Sequence, residues 1–338
     1  MRRAAFIAGV AALASAGVAS GAPTPAERPT PQVAIFYYAW YGTPVTDGAW
    51  LHWDQGGNTP PRAIGSNFYP ARGPYSSGQG SVVRAQMREI AATGVDTVIV
   101  SWWGPGSLED ARLGLVTSAA HAAGLHVAIH VEPWVGRTPD GVVQALRGLT
   151  GLGIRDAYVY DSSDYPDEEW KAALAGLSGF RVFAHTPLPG KALKGGFQGL
   201  YTYDVLVYDG SSFTRMCQSA RQLGLLCAPS VGPGFDSRRA TGDPRIRDRS
   251  DGRWYDHMWQ SAIRASPDVV TITSYNEWHE GTQIEPARRA MGPYLSYSGA
   301  WGLPGQQASR AYLDRTAYWI DRLRGVAEAP LRVGSKTQ

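Results

Sequence analysis

The sequence predicts an α/β protein: a single (β/α)8 barrel, the TIM-barrel architecture, with a long first βα loop. Three observations carry that expectation. Eight short runs are apolar continuously rather than at alternate positions, as in parallel strands covered on both faces. Amphipathic stretches with helix start and stop signals lie between them, and 338 residues suits one such barrel with insertions. No Gly-rich phosphate loop follows the first run, where the aromatic segment YGTPVTDGAWLHWDQ stands instead, so a doubly wound open sheet is disfavoured.

In order, the runs are VAIFYYAW at 33–40, DTVIVSWW at 96–103, LHVAIHVEPW at 125–134 and DAYVYD at 156–161. Then come FRVFAHT at 180–186, GLYTYDVLVYD at 199–209, GLLCAPSV at 224–231 and DVVTITSYNEW at 268–278. Helices are expected between them. Ser81 opens one whose Val83, Met87 and Ile90 share a face and which Gly94 ends. Ser107 with Asp110 resembles a capping box, Thr138–Pro139 and Pro166–Asp167 open two more, and Ser211–Ser212 opens a fourth. The stretches 254–265 and 309–324 close the series. The connection from Tyr41 to Gly80 holds Trp50, His52, Trp53, Asn67, Tyr69 and Tyr75, has no helix signal before Ser81, and reads as a binding loop. No short-period repeat interrupts this order.

Residues 1–22 have Arg2 and Arg3, an apolar stretch from Ala4 to Val18, and small residues through Ala22, the layout of a secretory signal peptide. A Pro-rich linker at 23–31, a catalytic domain at 32–326 and a tail at 327–338 complete the expected organisation, which makes the protein secreted or periplasmic. No other segment is long and apolar enough to span a bilayer, so no membrane association is expected after signal removal. The formal charge is +3, and +1 without Arg2 and Arg3, which removes the electrostatic argument for nucleic acid. With 12 Trp, 17 Tyr and only 18% charged residues, disorder and coiled coil are excluded. Cys217 and Cys227 are too few for a disulfide scaffold or a zinc site, and both a bridge and two buried thiols are compatible with an exported chain.

Barrel chemistry projects from the carboxyl ends of the strands, and those ends are unusually aromatic and acidic. Tyr38, Trp40 and Tyr41 close the first run, Trp102 and Trp103 the second, His130, Glu132 and Trp134 the third, His185 the fifth, and Tyr203 and Asp204 the sixth. Asn276, Glu277, Trp278, His279 and Glu280 close the last. Aromatic faces and carboxylates at one mouth suit a sugar, whose ring stacks and whose hydroxyls donate. Glycoside cleavage normally needs two carboxyl groups, one protonated and one ionised, for which Glu277, Glu280 and Glu132 are the candidates. Adjacent strand residues face opposite ways, so at most one of Trp102 and Trp103 fills the barrel wall. His52, His130 and His185 read first as structural histidines.

The segment TSYNEWHEGTQIEPA at 273–287 resembles the hallmark of glycoside hydrolase family 99, the endo-α-mannosidases and endo-α-1,2-mannanases. IFYYAWYGTP at 35–44, SWWGPG at 101–106, HVEPW at 130–134, GLYTYD at 199–204 and PSVGPGFDSR at 229–238 resemble its other blocks in the same order. The resemblance implies a (β/α)8 barrel without metal or cofactor that cleaves within α-mannosides with retention through a 1,2-anhydro sugar. By motif position Glu277 would deprotonate the 2-hydroxyl. Glu280 would protonate the leaving oxygen, so Glu280 should carry a raised pKa and Glu277 should be ionised. Glu132, Tyr203 and Tyr38 or Tyr41 would surround the reacting ring, and Trp103 would lie one subsite further. His52, His130, Trp134, Asn276 and His279 complete the expected substrate contacts. The expected partner is an α-linked oligosaccharide or polysaccharide, mannan or N-glycan, acted on by a monomer. Three alternatives stand beside this reading: an endo-α-glucanase-like enzyme, a catalytically inactive carbohydrate-binding barrel, and a metal-dependent hydrolase using His130, Glu132 and His279.

Overall fold

The computed structural model describes residues 29–326. The expected signal peptide, the linker before residue 29 and the tail lie outside the described residues. The strands are β1 (Gln32–Tyr37), β2 (Thr97–Trp102), β3 (His126–Val131), β4 (Asp156–Val159), β5 (Arg181–His185) and β6 (Gly199–Tyr201). They continue with β7 (Leu226–Ala228), β8 (Ser230–Val231), a hairpin of β9 (Phe235–Asp236) and β10 (Ile246–Arg247), and β11 (Val269–Ile272). All but the hairpin form one sheet in the order β7-β6-β5-β4-β3-β2-β1-β11-β8, and every pair in it is parallel. β7 and β8 are halves of one barrel position, split at Pro229, which has no N–H to give the ladder. Asp268 N–H donates to Cys227 O at 3.1 Å and Thr273 N–H to Val231 O at 2.9 Å, closing the ring across that position. The eightfold barrel expected from the apolar runs is therefore the observed fold.

The helices are α1 (Pro44–Asp47), α2 (Gly80–Ala91), α3 (Leu108–Ala122), α4 (Pro139–Gly148) and α5 (Asp167–Leu174). After them come α6 (Pro189–Lys194), α7 (Phe213–Gln222), α8 (Arg253–Arg264) and α9 (Ala311–Leu323). The caps at Ser107 and Thr138 form as the sequence suggests, accepting from Asp110 N and Gly141 N. α1 and α6 were not anticipated, and α1 corrects the expectation of no helix before Ser81; both are short, opened by Pro44 and Pro189, and too short for a periodic signal. Alternation along β1 puts Phe36 in the interior, against the rings of His130, Tyr158, Tyr201 and Tyr203. It sends Tyr37 outward, where its hydroxyl donates to Gln86 of α2 at 2.7 Å.

The first connection is more structural than expected. Trp53 is fully buried, donates from Nε1 to Tyr75 O at 2.7 Å and stacks on Tyr41 at 4.1 Å, so this part of the loop forms a floor. At the opposite end of the barrel, the Asp96 carboxylate accepts from Val33 N at 2.8 Å and pairs with Arg324 at 2.7 Å, tying the first strand to the end of the chain. Cys217 of α7 and Cys227 of β7 form a disulfide, which decides between the two states left open by the sequence.

The bridge closes a short loop between neighbouring elements, with Cys217 on α7 outside the barrel wall, and a cross-link of this kind is worth about 2–4 kcal/mol through the unfolded state. Cys217→Ser with Cys227→Ser is expected to lower the urea midpoint accordingly and to leave turnover unchanged, measured by fluorescence-monitored unfolding and by kinetics on the same preparations.

Candidate active site

After β11 the chain folds back on itself. Ser274 N–H donates to Thr282 O and Ile284 N–H to Ser274 O, both at 3.0 Å, closing a loop that carries Glu277 and Glu280. Ser274 Oγ accepts from Glu277 N–H at 2.8 Å and meets Thr282 Oγ1 at 2.9 Å inside it. Asn276 joins this loop to β1: its Oδ1 accepts from Tyr38 N–H at 2.8 Å and its Nδ2 donates to Tyr38 O at 2.9 Å. The Tyr41 hydroxyl donates to Asn276 O at 3.1 Å and accepts from Trp278 N–H at 3.0 Å. Trp278 Nε1 reaches Glu285 Oε2 at 2.9 Å, and Glu285 also accepts from Tyr75 and Gln86 and pairs with Arg72 at 2.8 Å. A buried carboxylate with four donors fixes geometry more than it adds stability.

Glu277 is 2% exposed and Glu280 partly exposed at the rim. Burial, reinforced by the negative charges of Asp204 and Glu132, pushes Glu280 up to about 8. That is the direction required of an acid. Burial and then the charge of Glu280 push Glu277 well above the carboxylate range too, against the expectation that it is ionised. Opposing this, Glu277 accepts from the main-chain N–H groups of His279, at 3.1 Å, and Glu280. Once Glu280 is protonated, the second-largest cause raising Glu277 disappears. Main-chain donors therefore favour the charge on Glu277 and the proton on Glu280.

The facing wall comes from the first, second, third and sixth barrel positions. Glu132 Oε1 accepts from Ser101 Oγ at 2.7 Å and lies 2.9 Å from His130 Nδ1, while His130 Nε2 lies 2.9 Å from the Tyr201 hydroxyl. Both Glu132 bonds end on Oε1, so Oε2 keeps its lone pairs for a hydroxyl. His130 stacks on Tyr203 at 5.2 Å, and the hydroxyls of Tyr203 and Tyr38 are hydrogen-bonded to each other. Beside Glu277, His279 Nε2 meets the carbonyl of His52 at 2.7 Å and its Nδ1 stands 3.6 Å from Glu277 Oε1. Burial pulls His279 down to about 3 and His52 down to about 4, so neither supplies positive charge at neutral pH. Trp103 is 37% exposed at the mouth, whereas Trp102 is buried with its Nε1 on Asp110, the division expected of adjacent strand residues. Trp134 is half-buried, edge-on to Trp102 at 5.5 Å.

Three of the expected contacts are tied into the framework of the site. Asn276 is fully buried with its amide bonded to Tyr38 and Tyr75, and Tyr41 is fully buried with its hydroxyl bonded to the acid loop; both position the loop. His130 is 1% exposed with both ring nitrogens engaged, and it orients Glu132. That engagement also leaves it no lone pair for a metal, and among the described residues no three His, Cys, Asp or Glu side chains are grouped as a metal site requires. Sequence reasoning missed Glu285 and Ser101 as supports. It placed His185 and Asp204 at strand ends without pairing them; His185 lies 3.2 Å from Asp204 and 3.7 Å from Asp161.

The raised Glu280 has a consequence for stability. Its folded pKa, about 8, lies above the carboxyl reference, so the folded state binds the extra proton between roughly pH 4.5 and 8 and the penalty for ionising it grows with pH across that window. Glu280→Gln, which cannot ionise, is expected to gain stability over the parent as pH rises from 4.5 to 8, with the two converging below pH 4.5. Urea unfolding at pH 4, 6 and 8 measures it.

The glycosyl hydrolase family 99 model matches residues 30–325. Among characterised proteins the chain is 32% identical to a glycoprotein endo-alpha-1,2-mannosidase-like protein of Danio rerio, over 86% of this chain and 77% of that protein. It is 32% identical to a glycoprotein endo-alpha-1,2-mannosidase of Xenopus laevis, over 87% and 77%. The solved structure of the family 99 endo-alpha-mannosidase from Bacteroides thetaiotaomicron superposes with a TM-score of 0.78 at 30% identity, over 88% of this chain and 99% of that one. The two acids on the β11 loop thus sit in a glycoside hydrolase, and the chain belongs to glycosyl hydrolase family 99.

Proposed function

We propose that the protein is an endo-acting α-mannosidase that hydrolyses internal α-mannoside linkages with retention, through a 1,2-anhydro sugar. The observation that carries this reading is the pair of carboxyl groups, Glu277 and Glu280, on one loop at the end of β11, with burial pushing Glu280 up to about 8, the direction an acid needs. The names of the Danio and Xenopus relatives supply the α-1,2-mannoside class. Stereochemistry supports it as well. The 2-hydroxyl of mannose is axial and trans to an α-leaving group, so it can attack C1 from behind, whereas the 2-hydroxyl of an α-glucoside is cis to the leaving group and cannot.

In the first step Glu277 takes the 2-hydroxyl proton as O2 bonds to C1. The C1–O bond to the leaving sugar breaks, and Glu280 gives that oxygen its proton. In the second step water attacks C1, Glu280 takes the water's proton, and the O2–C1 bond breaks as O2 recovers its proton from Glu277. Two inversions give net retention. Proton transfer by a positioned carboxyl contributes about 100- to 10,000-fold. Glu132 Oε2 and the Tyr38–Tyr203 pair are the groups available to the hydroxyls of the reacting ring. Trp103 offers an exposed ring face for the neighbouring sugar. Export to a secreted or periplasmic location is part of the proposal, supported by the order of residues in 1–22 and by the Cys217–Cys227 bridge, which an oxidising compartment favours.

Glu280→Gln is expected to lose cleavage of α-mannans by at least about 100-fold while binding is retained and α-mannosyl fluoride still releases its fluoride in a first turnover. Glu277→Gln is expected to fail on both, because ring closure needs the base. Near-normal turnover of the fluoride by Glu277→Gln sinks the mechanism. The wild-type rate should fall as pH rises through about 8, where Glu280 loses its proton. Chromatography of products from a panel of α-mannans and α-glucans tests the sugar, with mannose oligomers from internal cleavage expected.

A further inference from the structure

A general acid works only if the chain that carries it is fixed on the side away from the sugar, since a misplacement of about 1 Å costs about 100-fold. Around Glu280 part of that support is main chain. Asp236 N–H donates to Glu280 O at 2.7 Å. Gly281 has φ +65°, and a Cβ there would lie 2.9 Å from Asp236 O, so the hairpin strand β9 and the acid loop touch backbone to backbone.

Besides the Ser274–Thr282 contact, one side chain holds the carbonyls that follow Glu280. Arg249 Nη2 donates to Gly281 O at 2.9 Å and to Gln283 O at 2.7 Å, the residues one and three positions after Glu280. Its guanidinium lies over the rings of Phe68, Tyr297 and Tyr312 at 4.7, 4.9 and 4.6 Å, and its Nε and Nη1 are buried without a hydrogen-bond partner. A guanidinium taken out of water for two carbonyls is a poor source of stability, but it is a stiff bracket for the peptide it holds.

We propose that Arg249 is a positioning residue for the general acid: by gripping the Gly281 and Gln283 carbonyls it sets where the Glu280 carboxyl meets the leaving oxygen. This rests on the reading of Glu280 as the acid. Arg249 also lines an open cavity of about 180 Å³ with Phe68, Arg247, Gly281, Tyr297 and Tyr312, so a small cation can reach the space that removing its side chain would vacate.

The experiment compares Arg249→Ala with Glu280→Gln on two substrates, an α-mannan, whose leaving sugar needs a proton, and α-mannosyl fluoride, whose leaving group does not. Arg249→Ala is expected to lose about 100-fold in kcat on the mannan with KM little changed, to keep its first-turnover release of fluoride, the step that needs no acid, and to recover mannan cleavage in millimolar methylguanidinium. Methylguanidinium should not help Glu280→Gln. Equal loss on both substrates, or absence of rescue in a protein with native circular dichroism, overturns the proposal. If Arg249→Ala does not fold, Arg249→Lys must show the same split between substrates, and its absence overturns the proposal too. Should Glu280→Gln itself retain mannan cleavage, the assignment of the acid fails, and that result is distinct from anything the Arg249 variants show.

Discussion

One side-chain amide continues the barrel's hydrogen-bonding pattern past the end of a strand, and the active site depends on it. β1 and β11 are paired from Gln32 to Ile35, after which β11 ends. Asn276 then offers Tyr38 an acceptor at 2.8 Å and a donor at 2.9 Å, as a neighbouring strand would. The backbone of Tyr38 is thus satisfied in the interior without a strand beside it, and the loop after β11 is free to turn its carboxyl groups to the mouth. Removing that amide would leave buried polar groups unpaired, at about 1–3 kcal/mol each, and would uncouple the tyrosine wall from the acids.

The electrostatics of the mouth follow from what surrounds those acids. Glu132, Glu277, Glu280, Asp161 and Asp204 bring several carboxyl groups to one region, and the histidines nearest Glu277 are held neutral by burial. With the histidines beside Glu277 neutral, Glu277 and Glu280 repel each other and, with burial, retain a proton between them at neutral pH. Where the proton rests is decided by hydrogen bonding: Glu277 has main-chain donors and Glu280 sits at the rim among negative neighbours. A neutral acid beside an ionised base is what the proposed two-step cleavage would use, and burial first, then the neighbouring negative charge, keeps that proton on Glu280.

The fold was legible because continuous apolar runs report burial on both faces of a strand, and each of the eight barrel positions falls within one run. Strand lengths were less legible. The run at 199–209 gives strand only to Tyr201, and that at 156–161 stops before Asp161, which adopts φ +44°. At the site, Glu277 and Glu280 stood out because two carboxyls share one short aromatic segment. The roles of Asn276 and Tyr41 did not, because their partners lie 238 and 235 residues away and a polar side chain at a strand end looks the same whether it faces ligand or backbone. Arg249 and Glu285 were invisible for the same reason: nothing local distinguishes a buried bracket from a solvated charge.

Those hidden charges explain why the site can be rigid on a loop. Glu285 is fully buried, and Arg72, Gln86, Tyr75 and Trp278 donate to it from the first connection, α2 and the acid loop itself. Arg72 also pairs with Glu89 of α2 at 2.8 Å, and Tyr275 donates to the same carboxylate at 2.7 Å. Apolar packing of equal volume would serve stability as well or better, since taking these charges from water is costly. Packing alone would let the loop slide, because dispersion contacts have no preferred register. A carboxylate with directional donors on three separate segments admits one arrangement, and that arrangement puts Trp278 midway between the two acids with both backbones pinned. The long first connection, which the sequence presented as a binding loop, acts through Trp53, Tyr75 and Arg72 as the underside of the loop that carries Glu277 and Glu280.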